Sequence, residues 1–331
     1  MTDHLQPSAI QQAARILREG GTVAFPTETV YGLGANALDP AAVAKIFSAK
    51  GRPSWDPLIV HVSDREMLDR VAVITPRAGK LMQTFWPGPL TLLLERTKAV
   101  PDAVTAGRPL VGVRMPSHPV ALALISAAGV PIAAPSANRF GRTSPTTADH
   151  VFEDLEGRID AILDGGPTAV GVESTVLDPN QQPMLIYRPG AITPEMLEEV
   201  AGATRVFQPA AFQQESPASL PSPGVGIRHY APRARLLLVA NEAELHAKEE
   251  QLASSGEKTG VLLPAGWTAN PATETFPWAE WNDGLALAQR LFAGLRDLDT
   301  RGVTTILCPL PKSGGVGLAI RDRLEKAARA K

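Results

Sequence analysis

Thr22-Val23-Ala24-Phe25-Pro26-Thr27-Glu28-Thr29-Val30-Tyr31-Gly32-Leu33-Gly34 is the stretch on which the fold turns. Thr22 to Pro26 is apolar and partly β-branched and reads as a short strand; the polar, glycine-punctuated run Thr27 to Gly34 reads as a loop at its end. Upstream, residues 8–19 read as a helix in which Ser8 and Gln11 form a capping-box pattern and Ile10, Ala13, Ala14 and Leu17 share a face, with Gly20-Gly21 as the stop. Downstream, Asp39-Pro40 caps another helix. Strand-like runs follow at Leu58–Val62, Thr91–Glu95, Leu110–Met115, Val130–Ala134, Ile159–Leu163, Thr175–Leu177 and Met184–Tyr187. Helices opened by Thr75-Pro76, near 119–128 and over Thr146–Leu155 alternate with them. This alternation predicts mixed α/β packing around one twisted, open mixed sheet over residues 1–206.

Periodicity disappears between 207 and 234, where Pro, Gln, Ser and Gly dominate, and this segment reads as an interdomain linker. Beyond it, over residues 235–331, strands at Leu236–Val239, Val261–Leu263 and Thr305–Cys308 alternate with helices near 242–254, 284–297 and 317–329. The pattern predicts a smaller C-terminal three-layer α/β (Rossmann-like) domain with a parallel sheet.

Composition narrows the function classes. The chain has 331 residues, 44% hydrophobic and 20% charged, with a formal net charge of −2. Basic residues do not run together, which argues against tight non-specific RNA binding. The single cysteine, Cys308, excludes an intramolecular disulfide and any multi-cysteine zinc site, and reads as a small buried apolar residue in a strand. No apolar segment approaches the roughly 20 residues a membrane-spanning helix needs, and the N-terminus lacks a signal-peptide pattern, so a cytoplasmic protein is expected.

Chemistry-bearing residues gather at strand ends. Thr27, Glu28 and Thr29 can read a small polar ligand, although a capped turn with self-satisfied hydroxyls accounts for them equally well. Lys50-Gly51-Arg52-Pro53 offers a point charge and a bidentate fork that suit a polyphosphate. A cationic helix C-terminus is the commoner reading of a lone Lys-x-Arg. The donor-rich loop from Ala134 to Pro145, with Ser136, Arg139, Arg142 and Ser144, lies between a strand and a helix and reads as an anion cradle. Arg114 and Arg188 each follow an apolar run and are stopped by proline, which suits a carboxylate or phosphate clamp; an edge arginine paired to a surface carboxylate is the plainer alternative.

Several catalytic patterns are missing: GxxxxGK[ST], HExxH, GxSxG and CxxC do not occur. Gly315-Val316-Gly317 imitates a dinucleotide fingerprint without its third glycine, and reads as close packing at a helix start. Ser255–Lys258, Ser136–Asn138 and Lys312–Gly314 echo the motifs of penicillin-recognising serine enzymes, but in the wrong order.

FPTETVYGLGANA (25–37), KGRPSWDPLIVHV (50–62), FWPGPLTLLL (85–94), VGVRMPSHP (111–119), PSANRFGRTSPT (135–146), VESTVLD (172–178), YRPGAI (187–192) and SPGVGIRHYAP (222–232) together resemble, in order and spacing, the threonylcarbamoyl-AMP synthase family with its YrdC-like catalytic domain. The last of these, with the tail GVGLAIRDRLEKAA (315–328), resembles the family's long two-domain form.

The resemblance implies a concave, locally positive cavity for L-threonine and ATP, with the linker closing over the nucleotide. It places Thr27, His61, Arg114, Ala134 and Ser174 at the threonine, with Arg114 on its carboxylate. Lys50, Arg52, Ser136, Ser144, Arg188 and Tyr230 fall to ATP, with Lys50 and Arg52 as the catalytic cations. Position 56 is Asp where many relatives carry Asn. The implied reaction joins threonine, bicarbonate or CO2 and ATP into threonylcarbamoyl-AMP with release of pyrophosphate. Mg²⁺ accompanies the ATP phosphates and is not ligated by protein side chains. The product would pass to the tRNA threonylcarbamoyltransferase complex, with at most weak direct contact to tRNA. The rival readings are an RNA-binding module without catalysis and a carbamoyl transferase using carbamoyl phosphate.

Overall fold

A computed structural model describes residues 7–208, 219–220, 222 and 230–329. Most of the 207–234 linker therefore lies outside the described residues, including 223–229 of the SPGVGIRHYAP motif.

Among the described residues, one sheet of eleven strands builds the larger unit. In chain order these are β1 (Val23–Phe25), β2 (Gly32–Asn36), β3 (Ile59–His61), β4 (Ala72–Val73), β5 (Leu90–Arg96), β6 (Leu110–Arg114), β7 (Ile132–Ala133), β8 (Ala161–Ile162), β9 (Thr175–Asp178), β10 (Met184–Arg188) and β11 (Thr204–Val206). The spatial order is β11-β10-β9-β5-β6-β3-β7-β2-β1-β8, with β4 added to β5. Pairing is mixed: β1–β2 and β5–β6 are antiparallel, and β3–β6 and β5–β9 are parallel.

Where the expected loop begins, the chain makes a hairpin. Thr27 to Tyr31 form its tip, and Gly32–Asn36 returns as β2 with Phe25 opposite Gly32 and Val23 opposite Gly34. Glycine weakens a strand on its own, which hides β2 in the sequence. Here the missing side chain is required, because a Cβ on Gly34 would lie 2.7 Å from the Phe25 ring and 2.8 Å from Ile132 Cγ2.

The opening helix runs from Pro7 to Arg18, so Ser8 is already inside its first turn and the expected capping box with Gln11 is not formed. Elsewhere the caps fall where the sequence places them. Asp39 accepts from Ala41 N before the helix Pro40–Lys50, and Thr75 accepts from Ala78 N before Pro76–Phe85. The helices Arg65–Val71 and Pro194–Ala201 and the strand β11 add elements that short, weakly periodic segments do not announce.

The smaller unit is a parallel sheet of β12 (Arg235–Val239), β13 (Thr259–Leu263), β14 (Glu274–Pro277) and β15 (Thr305–Pro309), in the order β12-β15-β13-β14. Leu245 and Leu252 of the helix Glu242–Ala253 pack with Val239, Val261 and Leu307. The helices Gly284–Thr300 and Gly317–Ala328 pack a second cluster around Leu291, Ile306 and Ile320, which completes three layers. Cys308 is fully buried in β15. Gly317 is a close-packing position, since a Cβ there would fall 2.0 Å from Lys312 O.

The two units share core. Val30, at the hairpin tip, and Val172 are buried in the second unit's cluster with Phe292. Gly171, at φ +79°, lets the helix Gly284–Thr300 press against the loop: a Cβ there would lie 2.4 Å from Gln289 Cα. The smaller unit is thereby held beside the loops at the strand ends.

Candidate active site

A cleft open to solvent lies between the hairpin tip, the ends of β3, β6 and β10, the 134–136 loop and Tyr230.

Thr27, His61, Arg114 and Ser174 are among its lining residues. Thr27 Oγ1 donates to Val30 O at 2.6 Å and accepts from the Thr29 and Val30 amides, so the loop is a self-capped turn that also faces the cavity. His61 lies opposite Arg114 in the β3–β6 register. Burial, with Arg114 beside it, pushes the imidazole down to about 3, so it is neutral at pH 7; Nδ1 is buried and has no hydrogen-bond partner among the described residues. Arg114 leaves β6 buried, with Nε donating to Gly88 O at 3.2 Å, Nη1 donating to Thr29 Oγ1 at 2.9 Å and Nη2 lying 2.6 Å from Glu28 Oε1. Ser174 Oγ and Thr91 Oγ1 are hydrogen-bonded at 2.8 Å.

Arg52, Ala134, Ser136, Arg188 and Tyr230 also line it. Arg188 donates from Nε to Ser174 O and from Nη2 to Ser174 Oγ, each at 3.0 Å, and is thereby fixed against Ser174. Arg52 is fixed by Pro57 O at 2.7 Å and by Asp56 Oδ1 at 3.0 Å. Asp56 is fully buried, and burial raises its carboxyl above the ordinary value against the pull of Arg52. Gly190, two residues after Arg188, has no room for a side chain because a Cβ would lie 2.4 Å from Thr175 N.

Two expected contacts, Lys50 and Ser144, are not among the residues that line the cavity. Lys50 Nζ donates to Ser136 O at 2.6 Å and to Asn138 O, beneath the loop; burial first and Arg52 second press its ammonium well below the ordinary lysine value. Ser144 Oγ donates to Glu173 Oε1. Arg139 and Arg142, counted in the anion cradle by sequence, are exposed and turn to a separate outer depression with Arg158 and Arg233.

The sequence offers Glu28 only as part of the 27–29 loop, and its reading passes over Glu173 and Arg323. Glu28 and Glu173 are each a carboxylate set beside an arginine. Glu173 lines the cavity and accepts from Arg323 Nε at 2.8 Å. Burial works to raise its carboxyl, and Arg323 and Arg188 outweigh that and hold it below the ordinary value.

Comparison with known proteins identifies the family. Residues 15–190 match a family model described as telomere recombination, Sua5/YciO/YrdC, and residues 192–329 match the threonylcarbamoyl-AMP synthase C-terminal domain. A threonylcarbamoyl-AMP synthase of Pyrococcus abyssi is 43% identical over 98% of this chain and 96% of its own. That of Bacillus subtilis is 45% identical over 99% and 96%. The chain belongs to the threonylcarbamoyl-AMP synthase family. Members of that family are nucleotidyltransferase-type enzymes. The crystal structure of P. abyssi Sua5 complexed with L-threonine is 43% identical and superposes with a TM-score of 0.92, covering 99% of this chain and 96% of that one. The family's two-part architecture thus corresponds to the two sheets, with the cavity on the larger one facing the smaller. Among the described residues, no helix is long and apolar enough to cross a membrane.

Proposed function

We propose that this protein makes threonylcarbamoyl-AMP from L-threonine, bicarbonate or CO2 and ATP, releasing pyrophosphate. The observation that carries the reading is one cavity lined by Arg52, Arg114 and Arg188 together. A carboxylate-bearing amino acid and a polyphosphate can therefore be held side by side.

Thr27, His61, Arg114 and Ser174 take threonine, with Arg114 on its carboxylate. A neutral His61 adds no second positive charge, so the substrate amine is not repelled. The amine and CO2 form a carbamate, one carbamate oxygen attacks the α-phosphorus in line, and the α–β bridging oxygen leaves with pyrophosphate. No protein nucleophile is needed. Alignment of bound reactants contributes up to about 7–11 kcal/mol, and fixed cations stabilise charge on the departing phosphates. Arg52 and Arg188 meet the polyphosphate, and Ser136 and Tyr230 border the nucleotide. Lys50 holds the Ser136 carbonyl and so shapes the loop from beneath. Mg²⁺, arriving with ATP, neutralises phosphate oxygens that the arginines leave uncovered.

The expected closure of the 207–234 segment over the nucleotide falls mostly on residues outside the described ones. Leu220 N donates to Trp55 O at 2.9 Å, which brings one described piece of it next to the Arg52 loop. The product would be delivered in the cytoplasm to the tRNA-modifying transferase. Incubating the purified chain with Mg-ATP, threonine and bicarbonate and weighing the product by mass spectrometry tests the proposal. AMP release indifferent to threonine and bicarbonate would sink it.

A further inference from the structure

Glu173 is an odd neighbour for a triphosphate: a buried carboxylate on the wall of a cavity otherwise rich in arginine. Its charge is compensated from the other domain. Arg323, on the helix Gly317–Ala328, is 1% exposed and donates from Nε to Glu173 Oε2 at 2.8 Å and from Nη2 to Glu173 O at 3.4 Å. The other carboxylate oxygen accepts the Ser144 hydroxyl. The same guanidinium stands 5.1 Å from the centroid of the Tyr230 ring, which also stacks on Phe292 at 5.8 Å. Tyr230 has φ +68°, a conformation costly for a non-glycine residue unless its surroundings fix it.

Glu173 and Tyr230, both lining the cavity, thus meet one side chain, and Ser144 is linked to it through Glu173. For packing alone, an apolar residue of similar volume would serve as well or better. A buried arginine here does something an apolar residue cannot: it offsets the Glu173 charge where phosphates are to sit, and it fixes the carboxylate that Ser144 donates to while lying against Tyr230.

We infer that Arg323 is a positioning residue of the ATP pocket, acting through Glu173 on Ser144 and directly on Tyr230, so that the C-terminal domain completes a nucleotide site built on the larger sheet. The inference rests on the function proposed above. Arg323 does not touch substrate; without it, Glu173 is left with Arg188 as its remaining cationic neighbour, a partly compensated anion beside the polyphosphate, and Tyr230 loses the guanidinium over its ring.

Calorimetric titration of the full chain with the Mg²⁺ complex of α,β-methylene-ATP, and separately with threonine, tests this. Arg323→Ala should weaken nucleotide binding by about tenfold or more while threonine binding stays within about twofold. Adding Glu173→Gln to Arg323→Ala should recover part of the loss, because it removes the stranded charge; a purely structural role would not be rescued. Circular dichroism establishes which variants fold, and Arg323→Gln, similar in size but neutral, stands in if the alanine variant does not. Wild-type protein that fails to bind the nucleotide overturns the proposed function and this inference with it. Wild-type binding matched by a folded Arg323 variant, equal losses for both ligands, absence of rescue by Glu173→Gln, or unfolding of every Arg323 variant overturns the inference alone.

Discussion

Arg114 and Glu28 form a buried ion pair at 2.6 Å, joining the end of β6 to the tip of the β1–β2 hairpin. Removing either partner strands a charge in a low-dielectric site, at a cost of about 3–5 kcal/mol. Glu28→Ala and Arg114→Ala are each expected to lower the unfolding free energy by that order, and the double variant by less than their sum. Arg114→Ala should also raise the threonine dissociation constant about 10- to 100-fold, the worth of a charge-assisted hydrogen bond. Chemical denaturation and threonine titration check the two halves separately.

Lys50 supports a loop from below, so its loss should be felt at the nucleotide. Lys50→Met keeps the stem and deletes the donor, leaving the Ser136 and Asn138 carbonyls short of a partner. An unsatisfied buried acceptor costs about 1–3 kcal/mol. The expected result is a KM for ATP raised about tenfold or more with a much smaller change for threonine. Equal effects on both KM values would contradict the loop-support role.

His61 makes stability depend on acidity in a defined direction. Its folded-state value is depressed to about 3 from 6.5, so as pH falls below 6.5 the unfolded chain takes up a proton that the folded chain refuses until about pH 3. Stability is therefore lost between pH 6.5 and 3, with a slope approaching about 1.4 kcal/mol per pH unit from this group. His61→Gln should flatten the wild-type curve in that window, as read by urea denaturation across pH. Wild-type activity should likewise show no inflection near pH 6.5 that His61→Gln abolishes.

Gly171 sets how closely the two domains meet. Alanine there would face both an unfavourable positive φ and the backbone of the helix Gly284–Thr300, with Gln289 Cα only 2.4 Å from the new Cβ. Gly171→Ala is expected to cost about 1–3 kcal/mol, visible as a lower thermal midpoint, and to raise the KM for ATP, since the same helix carries Phe292 beneath Tyr230.

Much of this molecule is written in local signals. Asp39-Pro40 and Thr75-Pro76 locate helix starts because a capping side chain and a proline with preset φ act on their immediate neighbours. Arg114 and Arg188 were readable as strand-end arginines because an apolar run followed by proline is itself a strand and its stop. β2 was not readable, since its glycines carry no strand preference; only the Phe25 ring and Ile132 packed against Gly34 explain them.

What the chain alone determined was the kind of fold, the strand ends that bear chemistry, and an arginine-rich inventory suited to an anionic ligand, because hydrophobic period, turn residues and charge are properties of adjacent residues. Tertiary structure alone decided which groups face the cavity and which stand behind it. Lys50 under its loop, Glu28 on Arg114 and Arg323 on Glu173 are pairings across many intervening residues, and ion-pair partners at such separations are chosen by packing, which no local pattern encodes.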